Sequence, residues 1–346
     1  MEPPNYLSTL KRPQDFYVRV LNGAYDLEIP PTTKGLYCVV SGDLDLTEYE
    51  QMTHLNLTIK SRGSKLALPP NLTYLKLFYY NLYDFNHLKP IKLPSTLKNL
   101  KLIARGMPFG NFRFSTFLGP VFPPTLEILM FKISCNDNYL DIEFPDTLKL
   151  LIVRNYSSKH KFPNLPLNLE FLKMDCSEFY CDNPIEYLPQ SLRFLDFYLC
   201  DDNLIKKNIT EIPLPYGLEF LSIKSGYKYK INLPPKLKFV RCELDAINWS
   251  ELPDTLQIID VRNSCKSIKR ENLEFIADIL DLNHKIPSIL CNYIGCTEFD
   301  FRPITTYYIG KMKITTELDK KRLLQDRKST RLNSSHEWIS RMPSSA

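Results

Sequence analysis

Apolar residues return along this chain in one ten-residue phrase, LPxxLxxLxL. It reads LPPNLTYLKL at 68–77, LPSTLKNLKL at 93–102 and FPPTLEILMF at 122–131, and further copies start at Phe144, Leu165, Leu188, Leu214, Leu233 and Leu252. The nine starts lie 25, 29, 22, 21, 23, 26, 19 and 19 residues apart. A weaker copy starts at Ile29, and a degenerate one without proline ends at Leu55-Asn56-Leu57. The last two leucines of the phrase are two residues apart, the period of a strand, and the first turns the chain into that strand from the core side. Each copy predicts one short strand. Strands about 22 residues apart must return on the far side and stack side by side as a parallel sheet, each coil burying its leucines against its neighbours.

Proline then shapes the return. It cannot donate to a ladder and disfavours helix for the residue before it, so Leu-Pro is expected to open an extended segment. The fold class that follows is a leucine-rich-repeat solenoid. Short parallel strands line its concave face, and its convex side is mostly extended or irregular, with few helices. The tenth position of the phrase holds Leu77, Leu102, Phe131, Val153, Met174, Phe197, Ile223, Cys242 and Val261, with Cys38 in the weak first copy. Those two thiols read as core fillers.

Domain organisation follows the repeat. Residues 1–28 lack the phrase and are expected to cap the array, which runs over 29–265. Residues 266–325 form a C-terminal cap with a helix over 272–282, where Leu273, Ile276 and Leu280 have helical spacing, and a decayed coil near Ile286-Pro287. A short basic helix is expected near 317–325. The segment 327–346 shifts to Ser and Arg without periodicity. It resembles translated adapter sequence and is set aside, the other reading being a native disordered tail over 326–346.

Function in such a fold sits on positions the core does not use. The seventh position reads Tyr74, Asn99, Ile128, Leu150, Phe171, Phe194, Phe220, Phe239 and Ile258, and the ninth reads Lys76, Lys101, Met130, Ile152, Lys173, Asp196, Ser222, Arg241 and Asp260. The sixth is mostly charged: Lys98, Glu127, Lys149, Glu170, Arg193, Glu219 and Lys238. An exposed aromatic ladder from Phe171 to Phe239, bordered by charge, predicts a surface for a protein or peptide. Its candidate residues are Tyr74, Lys76, Lys101, Phe171, Lys173, Phe194, Asp196, Phe220, Phe239 and Arg241. The competing reading is that neighbouring Phe rings simply pack on each other and help strand pairing.

Charge and chemistry narrow the picture. The formal charge is +5, but residues 319–346 hold seven Lys/Arg against three Asp/Glu, leaving about +1 for the rest. With mixed charge on the strand face, that argues against nucleic acid as a partner. No stretch approaches the roughly 18 apolar residues of a membrane span, and residues 1–5 are not a signal peptide. Nine scattered Cys without a CxxC pair suit a reducing cytoplasm. The five His have no zinc-like spacing, and no Walker loop, GxGxxG or GxSxG phrase occurs. No enzyme activity, cofactor or metal is therefore expected. A hidden thiol or metal site near Cys291 and Cys296 is the enzyme-class alternative.

The phrase resembles two known groups. FNHLKPIKLPSTL at 85–97 and NPIEYLPQSL at 183–192 each carry an Asn followed by Pro-Ile and then LPxxL. In this they are similar to the FNIP-repeat proteins, divergent leucine-rich-repeat proteins of social amoebae and giant amoeba-infecting viruses. The resemblance spans 29–261, though most copies lack that family's Phe-Asn pair. It implies protein interaction, in host cytoplasm if the source is viral. Bacterial effectors with LPx repeats also resemble the phrase, and some append a ubiquitin-ligase domain. Too little chain follows Val261 for one, so the alternative function is a substrate-recruiting adaptor for ubiquitination.

Overall fold

The computed structural model describes residues 29–60, 64–80, 90–105, 118, 121–133, 143–154, 164–175, 187–198, 213–224, 231–243, 246–248 and 251–260, and the strand backbones elsewhere named below. The chain divides into two compact units, residues 1–192 with 211–213 and residues 193–210 with 214–346.

In the first unit the strands are β1 (Phe16–Val20), β2 (Gly35–Val40), β3 (Leu44–Asp45), β4 (His54–Ile59), β5 (Leu66–Ala67) and β6 (Tyr74–Tyr80). They continue as β7 (Asn99–Arg105), β8 (Phe112–Arg113), β9 (Ile128–Ile133), β10 (Asn138–Tyr139), β11 (Leu150–Arg154) and β12 (Phe171–Asp175). The second unit holds β13 (Phe194–Tyr198), β14 (Phe220–Lys224), β15 (Phe239–Arg241), β16 (Ile258–Asp260), β17 (Ser288–Asn292) and β18 (Thr306–Ile309).

The phrase dictates the pairing. Its second leucines meet strand to strand as Leu36↔Leu55↔Leu75↔Leu100↔Leu129↔Leu151↔Leu172, every pair parallel. In the second unit the same row runs Leu195↔Leu221↔Val240↔Ile259↔Ile289. Tenth-position residues lie one strand period on, and those from Cys38 to Cys242 are all buried. A one-residue slip would turn each row out of the core, so register is strongly specified. This is a parallel β-solenoid. Strand β1 pairs parallel with β2, so the expected N-terminal cap contains a coil strand. Strand β17 pairs parallel with β16 just after Ile286-Pro287, where a decayed coil is expected, and β18 closes antiparallel on β17. The expected helices at 272–282 and 317–325 lie outside the described residues.

Each LPxxL is a tight turn. The proline carbonyl accepts from the N–H of the leucine three residues on, as in Leu97→Pro94 (3.1 Å), Leu148→Pro145 (3.0 Å) and Leu256→Pro253 (3.0 Å). Proline is asked for its carbonyl and never for the N–H it lacks. Among the described residues the return side holds turns and small parallel pairs, β3 with β5 and β8 with β10.

Two ladders not foreseen from the apolar pattern tie coil to coil. At the fourth position Thr96, Thr125, Thr147, Ser191 and Thr255 each direct a hydroxyl at carbonyls of the preceding coil. Thr147 Oγ1, for example, lies 2.7 Å from the Pro124 oxygen and 2.9 Å from that of Leu126. Asn71 and Asn168 do the same with an amide, to Glu50 and Asp146. At the sixth position the charges alternate in sign from coil to coil. Lys98 meets Glu127 at 3.7 Å, and Glu219 is flanked by Lys238 at 2.6 Å and Arg193 at 3.8 Å. These surface pairs each contribute little, at most about 1 kcal/mol.

Thr147→Val keeps the side chain's shape and leaves the carbonyls of Pro124 and Leu126 without their donor. We expect it to lower stability by about 1 kcal/mol in urea unfolding, with Thr147→Ser near neutral. Leu129→Ala empties a fully buried slot and should cost about 2–5 kcal/mol in the same assay.

Candidate functional site

Strand residues alternate between the leucine face and the opposite face, so the seventh and ninth positions share the latter. In the first unit the seventh-position row is Gly35↔His54↔Tyr74↔Asn99↔Ile128↔Leu150↔Phe171. The ninth-position row is Tyr37↔Asn56↔Lys76↔Lys101↔Met130↔Ile152↔Lys173. In the second unit the rows are Phe194↔Phe220↔Phe239↔Ile258 and Asp196↔Ser222↔Arg241↔Asp260. Each candidate residue therefore stands on the face expected of it.

The aromatic ladder differs from its expectation. Phe171 belongs to the first unit, while Phe194, Phe220 and Phe239 belong to the second. Those three are stacked nearly flat, with centroids 4.0 and 4.4 Å apart and planes within 6° and 2°. A face-to-face sandwich is not the arrangement ring quadrupoles prefer. In-register parallel strands at about 4.8 Å spacing impose it. The consequence is a correction: this is not an open ladder. Phe171, Asp196 and Phe239 are only 4%, 5% and 7% exposed, and Phe194 and Phe220 are half-buried. Stacked rings cover each other's faces, and the Arg241 guanidinium lies 5.4 Å from the Phe239 centroid. Much of the aromatic row is packing.

Beside the rings, Arg241 donates from Nε to Asp260 Oδ2 at 2.8 Å, and that carboxylate is 1% exposed. A carboxylate so buried requires a cation of this kind. Ser222 Oγ, one strand away, is buried without a hydrogen-bond partner.

The first unit's face is more open and more basic. Tyr74, Lys76, Lys101 and Lys173 are all part-exposed. His54 stacks on Tyr74 at 5.7 Å and 21°, and its Nδ1 is 2.9 Å from the Thr53 hydroxyl. Burial lowers the His54 pKa, keeping the ring neutral at pH 7, and raises that of Tyr74. Lys101 is held below the ordinary lysine range, first by burial and then by repulsion from Lys76, Arg154 and Lys132. Lys132 and Arg154 pair in register one strand period beyond the ninth position. Both lie outside the ten-residue phrase, so a reading confined to that phrase passes over them.

Other chemistry was sought on the same terms. Among the described residues no group of three His, Cys, Asp or Glu is placed to hold a metal, and no helix is long and apolar enough to cross a membrane. Cys296 and the side chain of Cys291 lie outside the described residues. Cys38 and Cys242 are buried core fillers as expected, and burial pushes both thiols up to about 12.

No protein-family model matches the chain, and no curated protein matches it by sequence. Solved structures with which it shares a partial likeness include YopM from Yersinia enterocolitica WA-314, at 18% identity and a TM-score of 0.28, covering 70% of this chain and 67% of that one. CroV588, described as a novel circular LRR protein, is 17% identical with a TM-score of 0.27, covering 70% of this chain. The match spans 45% of that protein's length. Superpositions this loose carry no argument, and the solenoid rests on the register above.

Thiols with a pKa near 12 are protonated at pH 8 and unreactive. Iodoacetamide at pH 8 should leave Cys38 and Cys242 unmodified in the native protein and alkylate both in 8 M urea (about that concentration suffices), as read by peptide mass spectrometry.

Proposed function

We propose that this protein is a non-enzymatic interaction scaffold that binds a protein or peptide on the strand face of its solenoid. The observation that carries this reading is the row Lys76↔Lys101↔Met130, flanked by Tyr74 and Ile128. These long side chains are part-exposed on a face where the leucine core has no use for them. Part-exposed aromatic and Met side chains are of the kinds enriched at interfaces, and the lysines beside them would supply charge complementarity. In the second unit the accessible anchors are Phe194, Phe220 and Arg241, while the buried Phe239 and Asp196 hold the face in shape. The turn side offers a poorer surface. Among the described residues its exposed large apolar side chains, Val121, Leu167, Tyr187 and Tyr216, fall on separate coils, and scattered apolar residues of that kind are ordinary.

Kinship with the FNIP-repeat proteins belongs to the same proposal and rests on the two Asn…Pro-Ile phrases. So does residence in a reducing cytoplasm, which suits free, buried Cys38 and Cys242. A ubiquitination adaptor would be one use of such a scaffold, distinguished by a ligase component among its partners.

The test is site-specific photo-crosslinking in the source cells. A benzophenone side chain at Lys76 or Phe220 should give an adduct of defined mass, and one at Leu167 or Tyr216 should not. Adducts formed equally from all four positions, or only from the turns, would place the interface elsewhere.

A further inference from the structure

Four cations stand together on the first unit's strand face. Lys76 and Lys101 are cross-strand neighbours on β6 and β7, and Lys132 and Arg154 are cross-strand neighbours on β9 and β11, one strand period along. Strand spacings of about 4.8 Å and a rise of about 6.6 Å per two residues make this a diagonal band roughly 16 Å long. Ile103, in register between Phe78 and Lys132, and Met130, between Lys101 and Ile152, fill the corners between the cations. All six side chains are part-exposed.

The band is poor in acids. Among the described residues none of the four cations has an ion-pair partner, and Arg154 Nε is buried with no acceptor. The sixth-position glutamate nearest in sequence, Glu127, is engaged with Lys98. The one acid that follows in register, Asp175, stands on the strand beyond Arg154, at the band's far end. The second unit supplies the contrast: there the ninth-position cation, Arg241, is matched by Asp260 at 2.8 Å. Like charges on adjacent strands destabilise a sheet, and partial burial of Lys101 adds to that penalty. An arrangement that works against folding, on a face the core does not need, is the signature of a binding site.

We propose that this band seats an extended, acidic segment of a partner protein, its carboxylates spread over Lys76, Lys101, Lys132 and Arg154. The proposal deepens the scaffold reading and rests on it. A stretch of about five extended residues spans the band, and its alternate side chains, about 6.6 Å apart, reach successive cations. A peptide fits better than a nucleic acid strand. The residues between the cations are aliphatic, and the part-exposed aromatics Tyr74 and Phe78 flank only Lys76 at one end, so successive bases along the band would find no continuous stacking platform.

The test uses the full chain and a fluorescein-labelled ten-residue peptide of alternating Glu and Leu. Its controls are the Gln/Leu counterpart and an oligo-dT of equal charge. Anisotropy titration should show the Glu/Leu peptide binding at least about tenfold tighter than the Gln/Leu peptide. The double variant K101M/K132M should remove about that factor. Charge reversal K236E, on a turn of the second unit, should leave binding unchanged. Because methionine relieves the repulsion at Lys101, K101M should also raise the thermal midpoint at pH 7. That gain should shrink as pH climbs from the lowered lysine pKa towards the ordinary 10.5, where the wild-type ammonium is lost. A folded K101M/K132M that binds the Glu/Leu peptide like wild type overturns the proposal, as does equal binding of the Gln/Leu peptide, equal weakening by K236E, or tighter binding of oligo-dT. If strand-face crosslinking succeeds while any of these occurs, the acidic-segment proposal falls and the scaffold reading stands. If crosslinks arise only from the turns, both fall.

Discussion

Everything in this molecule depends on one constraint: no coil has a core of its own. A strand of three to seven residues with a few inward apolar side chains buries them only against the same positions of the coils before and after it. The row from Leu36 to Leu172 is that constraint made visible. It explains why spacing between copies is free to vary from 19 to 29 residues while pairing is not. Length added on the return side leaves the leucine row untouched, whereas a slip of one residue on the strand would turn that row outward.

The same register settles how the outer face is built, and it does so differently in the two units. Where the row holds phenylalanine, strand spacing forces flat stacks that hide ring faces, and a guanidinium paired to a buried carboxylate completes the layer. Where it holds lysine, cross-strand neighbours repel, and among the described residues neither Lys76 nor Lys101 has an ion-pair partner. One face matches its part-exposed cation with an acid of its own. The other leaves cationic groups directed outward, which is the physical basis for assigning it a partner.

The fold was largely legible in the sequence because inward and outward positions differ at the level of single residues and recur with period two. Leu75, Leu100 and Leu129 declare their burial by type alone, and Cys38 and Cys242 by the slot they occupy. The outer face was legible only in part. Phe239 was expected to be exposed and is covered, since coverage depends on the ring one coil away and on Arg241. Lys132 and Arg154 went unnoticed because their strands outrun the ten-residue phrase. The role of Thr125 and Thr147 was hidden for a different reason: a threonine followed by leucine is unremarkable until the carbonyls it meets, 21 to 30 residues earlier, are known.

The sixth-position ladder has a consequence for how such an array can change. Its signs run plus, minus, plus, minus, plus, minus, plus from Lys98 to Lys238. Deleting or duplicating a single coil would set two like charges side by side at the junction, whereas adding or removing coils two at a time would leave the alternation intact. The ladder is in effect a parity check on repeat number. Weak as each pair is, the alternation favours a change in repeat number by two coils over a change by one.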